Sequence, residues 1–373
     1  MKNYILMHKN DKVAVINIEN NSIRVDNIIN KNWMPFGIIE SDNETIHEQI
    51  TKWNGERCIP FGRPNYQKLM EECQTKCASD WIAKSYMCSL TDCYWFKPVD
   101  SGLKWEDVNF HQNGFSSNLY KHLFYGENNE PINHFNSPDI TTDGAEPKMW
   151  TEKSDGFYLL KHYSDNEPTT VCNEFIVSKI FAKLGIDCVN YDLVEIKGKI
   201  CCESKCFIDS DKEEFVPAAD LMKQYGYTLK DVEQLMKTFG FEEEFNKMII
   251  GDYLSGNSDR HARNFGIIID SDSRQTKRFA PLFDHGETYI YENIDRAYYL
   301  VGETTFGKAM DTVDLKYFSA LKDINQSDVA NILNTVPYYD FDTKNEIFCE
   351  FFRRIEYLND LVIERDVEHG REY

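Results

Sequence analysis

Stretches in which apolar and polar residues alternate, or recur at helical spacing, divide this chain into elements. Near its start "KVAVINIEN" alternates, "NNS" supplies turn residues and "IRVDNI" alternates again, which predicts a β-hairpin with one buried face. A helix is predicted over "YQKLMEECQTKCASDWIAKSY", residues 66–86, followed by an aromatic-rich stretch, 89–115, whose rings read as core because nothing orders them around a cation. From about residue 138 the pattern becomes glycine turn, strand, helix, strand, carried by "TTDGAEPKMW", "GFYLLKHYS", "TVCNEFIVSKIFAKLG" and "CVNYDLVEI". Phe245, Met248, Ile249 and Tyr253 recur at helical spacing until "SGNS" (255–258) breaks the run and a polar loop begins. "FGIIID", "DSDS" and "RFAPLF" then read as strand, turn and strand, with Pro281 limiting the pairing. Such a hairpin brings Asn264, at its entrance, close to Asp284, at its exit. In "NEIFCEFFRRIEYLNDLVIER" (345–365), Ile347, Phe351, Ile355, Leu358 and Ile363 fall near one helical face. The character of the chain changes near residue 130 without a low-complexity linker or repeat, so residues 1–130 are set apart from the remainder of the chain.

Composition narrows the possibilities. With 373 residues, 42% hydrophobic and 14% aromatic, the chain folds and has room for two domains. Its 41 basic against 62 acidic residues give a formal charge of -21, which repels nucleic-acid backbones and anionic membrane surfaces. No basic patch offsets it, so neither direct nucleic-acid binding nor a membrane partner is expected. The opening "MKNYILMHKNDKVAV" lacks the apolar core of a signal peptide, and no run approaches the ~20 residues needed to cross a bilayer, so a cytoplasmic protein is expected. Eleven scattered cysteines read as reduced thiols, and neither Cys73 with Cys77 nor Cys201, Cys202 and Cys206 has the paired spacing of a zinc site.

The densest chemistry lies in "GDYLSGNSDRHARNFGIIIDSDSRQTKRFAPLFDHG", Gly251–Gly286. Upstream, Lys161 ends the apolar strand "FYLLK", where an ammonium calls for an anionic partner such as phosphate or carboxylate. Glu174, in the following helix, offers a carboxylate for an ion pair. Gly144, in "TTDGAEPK", sits in a turn where backbone can approach phosphates closely. Phosphoryl transfer needs a cradle for phosphates, a cation on them, an aspartate for the hydroxyl and magnesium ligands. Glycine turn, Lys161, Glu174, Asp259, Asn264 five residues on, and Asp284 after a hairpin stand in the order of kinase parts. A metallophosphoesterase would need an upstream D-x-H and G-D-x-x-D beside "GNSD", and both are missing; "DSDS" (270–273) lacks the EF-hand pattern.

"GNSDRHARNFG" and "APLFDHG", with "TTDGAEPK" and "YLLKHY" before them, resemble the HipA-like serine/threonine kinases over roughly residues 138–350. The resemblance implies an α+β, bilobal protein-kinase-like fold: an N-terminal accessory α+β domain (1–130), a kinase N-lobe (131–208) and a mostly helical C-lobe (209–373). It implies ATP and Mg2+ as cofactors and a protein substrate phosphorylated on serine or threonine, with an antitoxin-like partner. Asp259 would be the catalytic aspartate, and Asn264 and Asp284 the metal ligands. Lys161 would contact the nucleotide phosphates with Glu174 as its partner, and residues 143–148, including Asp143, Gly144, Ala145 and Lys148, would form the loop over them. His261 and Arg263 share the catalytic loop. "ESKCFID" (203–209) would be the adenine-contacting hinge, through Cys206 or Phe207. The resemblance also implies self-phosphorylation at the front of the loop, where Thr141 matches and Thr142 and Ser137 lie close by. There is no G-x-G-x-x-G, and "DHG" stands where ordinary protein kinases have "DFG". A catalytically silent relative and a small-molecule kinase remain as alternatives.

Overall fold

The computed structural model describes residues 2–19, 22–39, 44–115, 124, 135–163, 168–289, 298–300 and 304–369. In chain order the elements used below are β1 (Lys2–His8), β2 (Asp11–Glu19), β3 (Ser22–Ile28), α1 (Ile46–Glu56), α2 (Tyr66–Glu72), α3 (Ala78–Ser85), β4 (Tyr94–Pro98), β5 (Lys148–Lys153) and β6 (Gly156–Lys161). Then come α4 (Thr169–Leu184), β7 (Tyr191–Ile196), β8 (Lys199–Lys205), β9 (Glu213–Pro217), α5 (Ala218–Tyr225), α6 (Glu242–Ser255), β10 (Gly266–Asp270), β11 (Thr276–Phe279) and α7 (Phe341–His369). The chain forms two compact units: Met1–Asn166 with Glu203–Gly226 and Gly266–Arg278, and Glu167–Cys202 with Tyr227–Phe265 and Phe279–Tyr373. The boundary expected at 130/131 falls outside the described residues.

In the first unit the predicted hairpin is β2–β3, paired Ile16 to Val25 and Ile18 to Ile23, inside an antiparallel sheet of order β3-β2-β1-β4. Leu6, Val13, Ile16, Ile23 and Phe96 point into a core closed by Ile50 and Trp53 of α1 and Trp81 of α3. The single helix expected over 66–86 is two. Gln74 takes a left-handed φ of 51° and Cys77 is extended, while the Asp80 carboxylate accepts the Lys76 N–H to start α3 afresh. No glycine or proline marks this break; a side-chain cap and the burial of Leu69 and Trp81 on separate helices produce it.

A second sheet of the same unit has the order β11-β10-β9. Ile267, Ile268 and Ile269 are buried in its middle strand, as an uninterrupted apolar run predicts. Gly266 is required there: a Cβ would lie 2.1 Å from the Val216 carbonyl oxygen. β11 ends at Phe279, two residues before Pro281, shorter than the strand predicted over "RFAPLF". Arg274 ties the β10–β11 turn to the amino-terminal segment by donating to the carbonyls of Asn32 and Met34, and Phe215 N–H donates to Thr91 O.

In the second unit α4 ends at Gly185 and α6 at Gly256, each glycine left-handed at φ 75° and 72°. Phe245, Met248, Ile249 and Tyr253 of α6 are buried as predicted. In α7, Ile347, Phe351 and Leu358 are buried but Ile363 is 61% exposed. It lies five residues past Leu358, about 140° round the helix, so it does not belong to that face. Among the described residues no helix is long and apolar enough to cross a membrane.

Candidate active site

The polar loop after α6 is organised by two residues to which sequence reasoning gave no role. Asp252, in the last turn of α6, and Arg260 are both fully buried and paired through two bonds, Nε to Oδ2 at 2.9 Å and NH2 to Oδ1 at 2.8 Å. Asn257 and the Tyr299 hydroxyl donate to the same carboxylate at 3.0 and 2.8 Å. The other side of Arg260 faces the chain: NH1 donates to the carbonyls of Asn264 and Phe283, each at 2.9 Å, and NH2 lies 2.9 Å from His285 Nε2. One guanidinium therefore joins the loop 257–264 to the segment 283–285, closing hairpin entrance on hairpin exit as the pattern implied. The signal for Asp252 is a charge inside a buried helical run, which demands a partner nearby; Arg260, in the loop, carries no such signal.

The three residues expected to hold metal and substrate surround this hub. Asp259 is exposed at the loop surface, its N–H accepted by Asn257 Oδ1 at 3.2 Å. Desolvation by the surrounding chain raises its carboxyl pKa above the ordinary value; the negative charge of Asp284 adds to this, while His261 and Arg260 oppose it. Asn264 is buried, its N–H donated to His261 O at 2.8 Å. Asp284 is half-buried with φ 62°, a left-handed conformation in which aspartate is tolerated better than most residues. Glu174 of α4 accepts the His285 N–H at 2.9 Å, and Asn173 donates to Gly286 O at 2.9 Å, so α4 fixes the backbone on the far side of Asp284. His261 Nδ1 accepts the Arg263 N–H at 3.3 Å inside the loop. Two carboxylates and an amide oxygen are hard donors of the kind that hold a divalent cation such as Mg2+, and the charge of Asp284 is felt at the Asp259 carboxyl.

The first unit holds the glycine turn. Gly144 has φ 97°, a left-handed conformation that favours glycine, and Lys148 folds over the turn there, its Nζ 1.9 Å from where a Cβ would lie and donating to Asp143 O at 3.1 Å. Strand register places Lys148 directly opposite Lys161 on the β5–β6 hairpin, and both are buried. Like charges facing across a ladder are unfavourable by themselves and become favourable around a polyanion. Asp143 and Ala145 are exposed on this turn. Asp139 accepts the Trp150 N–H at 2.8 Å, and Trp150 Nε1 donates to Thr142 Oγ1 at 2.7 Å. In the predicted hinge, Cys206 N–H donates to Phe157 O at 2.8 Å and Phe207 O accepts Arg278 at 3.1 Å, so two of its backbone groups are engaged within the fold. Lys161 thus belongs to the first unit, whereas Glu174, Asp259, Asn264 and Asp284 belong to the second.

The same unit contains another set of ligand-type side chains. His8, Cys93 and Glu214 are buried with donor atoms within 4.8 Å of one another. Glu214 Oε1 accepts His8 Nε2 at 3.0 Å and the Cys93 N–H at 2.6 Å. Burial would raise the Glu214 carboxyl, but those two donors outweigh it and hold the pKa below its ordinary value. The group is accounted for as a hydrogen-bonded knot tying β1 and the start of β4 to β9.

Comparison with known proteins agrees with this architecture. The profile of the HipA-like C-terminal domain matches residues 140–339, over half of the chain, and the chain belongs to that family. A Haemophilus influenzae protein named "Putative kinase" is 27% identical over 164 residues, 37% of this chain and 47% of that protein, so the chain spans about half the length of this relative. Among solved structures, the Helicobacter pylori proinflammatory kinase CtkA superposes over 60% of this chain and 95% of its own, with a TM-score of 0.52 and 18% identity. HipA of Shewanella oneidensis, solved with HipB and its operator DNA, covers 96% of this chain and 98% of its own, with a TM-score of 0.56 and 12% identity. The fold is therefore α+β and kinase-like, of the HipA type.

Proposed function

We propose that this protein is an ATP- and Mg2+-dependent kinase of the cytoplasm that transfers the γ-phosphoryl group to a serine or threonine hydroxyl of a protein. The observation that carries the reading is the Arg260 hub, which brings Asn264 and the Phe283–His285 segment onto one guanidinium, with the charge of Asp284 close enough to help raise the Asp259 carboxyl. Asp259 is the group that orients the incoming hydroxyl and accepts its proton as the hydroxyl oxygen bonds to phosphorus and ADP leaves. The Asn264 amide oxygen and the Asp284 carboxylate are the candidates to hold magnesium, which supplies charge neutralisation for the phosphates. Lys148 and Lys161, side by side on the β5–β6 hairpin, and the backbone of the Gly144 turn bind phosphate oxygens. His261 and Arg263 assist in the loop, and Cys206 and Phe207 border the adenine.

A hydroxyl of the turn is a second acceptor in this reading. Thr141 Oγ1 donates to Cys88 O at 2.8 Å and Thr142 Oγ1 to Pro138 O at 2.7 Å, and both side chains are half-buried. A phosphate there, carrying about -1.5 to -2 charges, would compete with those of ATP and displace the turn. A HipB-like antitoxin is the partner class proposed, with any DNA contact made by that partner because this chain is strongly acidic. Incubation of the purified chain with labelled ATP, alone and with cell extract, tests the assignment. Label transferred to protein supports it, label transferred only to small molecules moves the substrate class, and no transfer to anything removes the kinase reading.

A further inference from the structure

Arg63 lies outside the residues matched by the family profile, in the segment "CIPFGRPNY". It is 2% exposed, and its guanidinium reaches the glycine turn: Nε and NH2 donate to Gly144 O at 3.0 and 2.8 Å, and NH2 donates to Thr142 O at 2.5 Å. The segment carrying it is itself anchored, since Ile59 N–H donates to Ile140 O at 3.1 Å and Arg63 N–H closes a turn on Pro60 O at 3.1 Å. Burial lowers the arginine to about 10, opposed by the charges of Asp139 and Asp143, so it is a cation at neutral pH. Its NH1 is buried with no partner among the described residues.

A trans peptide carries its N–H antiparallel to its C=O. Holding the carbonyls of Thr142 and Gly144 from one side therefore directs the N–H groups of Asp143 and Ala145 to the other side. We propose that Arg63 is a positioning residue for the phosphate-binding turn, aiming those two backbone donors at the nucleotide, so that a segment outside the family domain completes the ATP site. The inference rests on the kinase reading above.

The test uses the full chain as wild type, Arg63→Gln and Arg63→Lys, matched by circular dichroism and melting. Three quantities are measured: Kd for Mg-ATP, KM for ATP against kcat, and amide exchange of residues 140–146 without nucleotide. Loss of charged-donor hydrogen bonds to the turn predicts that Arg63→Gln raises Kd and KM about tenfold or more, with kcat at saturating ATP within about twofold and faster exchange at the turn. Arg63→Lys keeps the charge without the fork and falls between. If Arg63→Gln does not fold, the same shift in Arg63→Lys decides. Variants that bind ATP like wild type, or that lose kcat with KM unchanged, overturn the inference while leaving the kinase reading intact. A wild type that binds no Mg-ATP overturns both.

Discussion

Replacing Arg260 by methionine separates what its contacts do for stability from what they do for the loop. Both members of the Asp252–Arg260 pair are fully buried, so the variant leaves a carboxylate without its cation in the interior. Removing one partner of such a pair costs about 3–5 kcal/mol, within reach of the whole stability of a typical domain, ~5–15 kcal/mol. Adding Asp252→Leu removes the stranded charge, and buried pairs replaced by apolar residues of similar size are often neutral or better. The double variant should therefore regain most of the lost urea stability. It should not regain phosphoryl transfer, because the carbonyls of Asn264 and Phe283 have lost the donor that joins them. Urea titration monitored by fluorescence, beside a labelled-ATP assay, measures both. A cost below about 1 kcal/mol for Arg260→Met would refute the burial argument, and wild-type transfer by the double variant would refute the positioning argument.

Asn264→Ala and Asp284→Ala should each weaken ATP binding only when magnesium is present; calorimetry with and without EDTA checks this, and an equal loss in both conditions would mean that the residues serve the fold. Mass spectrometry after incubation with Mg-ATP should find phosphate between residues 136 and 148, at Thr141 first; an unmodified loop in a protein that still phosphorylates another substrate would exclude self-modification there. Asp139 gives a pH dependence. Burial raises its carboxyl from 3.8 to about 6, against the Trp150 and Ser137 hydrogen bonds and Arg63. The folded state then holds the proton longer than the unfolded state, so this residue lowers stability as pH rises from about 4 to 6 and by a constant amount above. Asp139→Asn should gain on wild type by up to about 3 kcal/mol across that interval in urea titrations at several pH values, and parallel profiles would contradict it.

Legibility in the sequence tracks how local each signal is. The hairpin β2–β3, helices α4 and α6 and the strand β10 were legible because their periods are local and their ends carry Asn, Ser or Gly. The α2–α3 break was hidden because a side chain, Asp80, and not a turn residue makes it. Ile363 was assigned to the wrong face by one residue of spacing. In the candidate site the chemically obvious acids and amide were visible in order, but the residues that hold them, Asp252, Arg260 and Arg63, were not. Their roles arise from contacts over 8, 23 and 81 positions, which spacing along the chain does not encode.

The kinase assignment stands or falls on Asp259 acting on the incoming hydroxyl. Asp259→Asn is nearly isosteric, sits at an exposed loop position and leaves the Arg260 hub in place. This variant is expected to melt like wild type, bind Mg-ATP with similar affinity and transfer label ~10²–10⁴-fold more slowly. Transfer at the wild-type rate by a variant that folds and binds nucleotide would contradict the role given to Asp259.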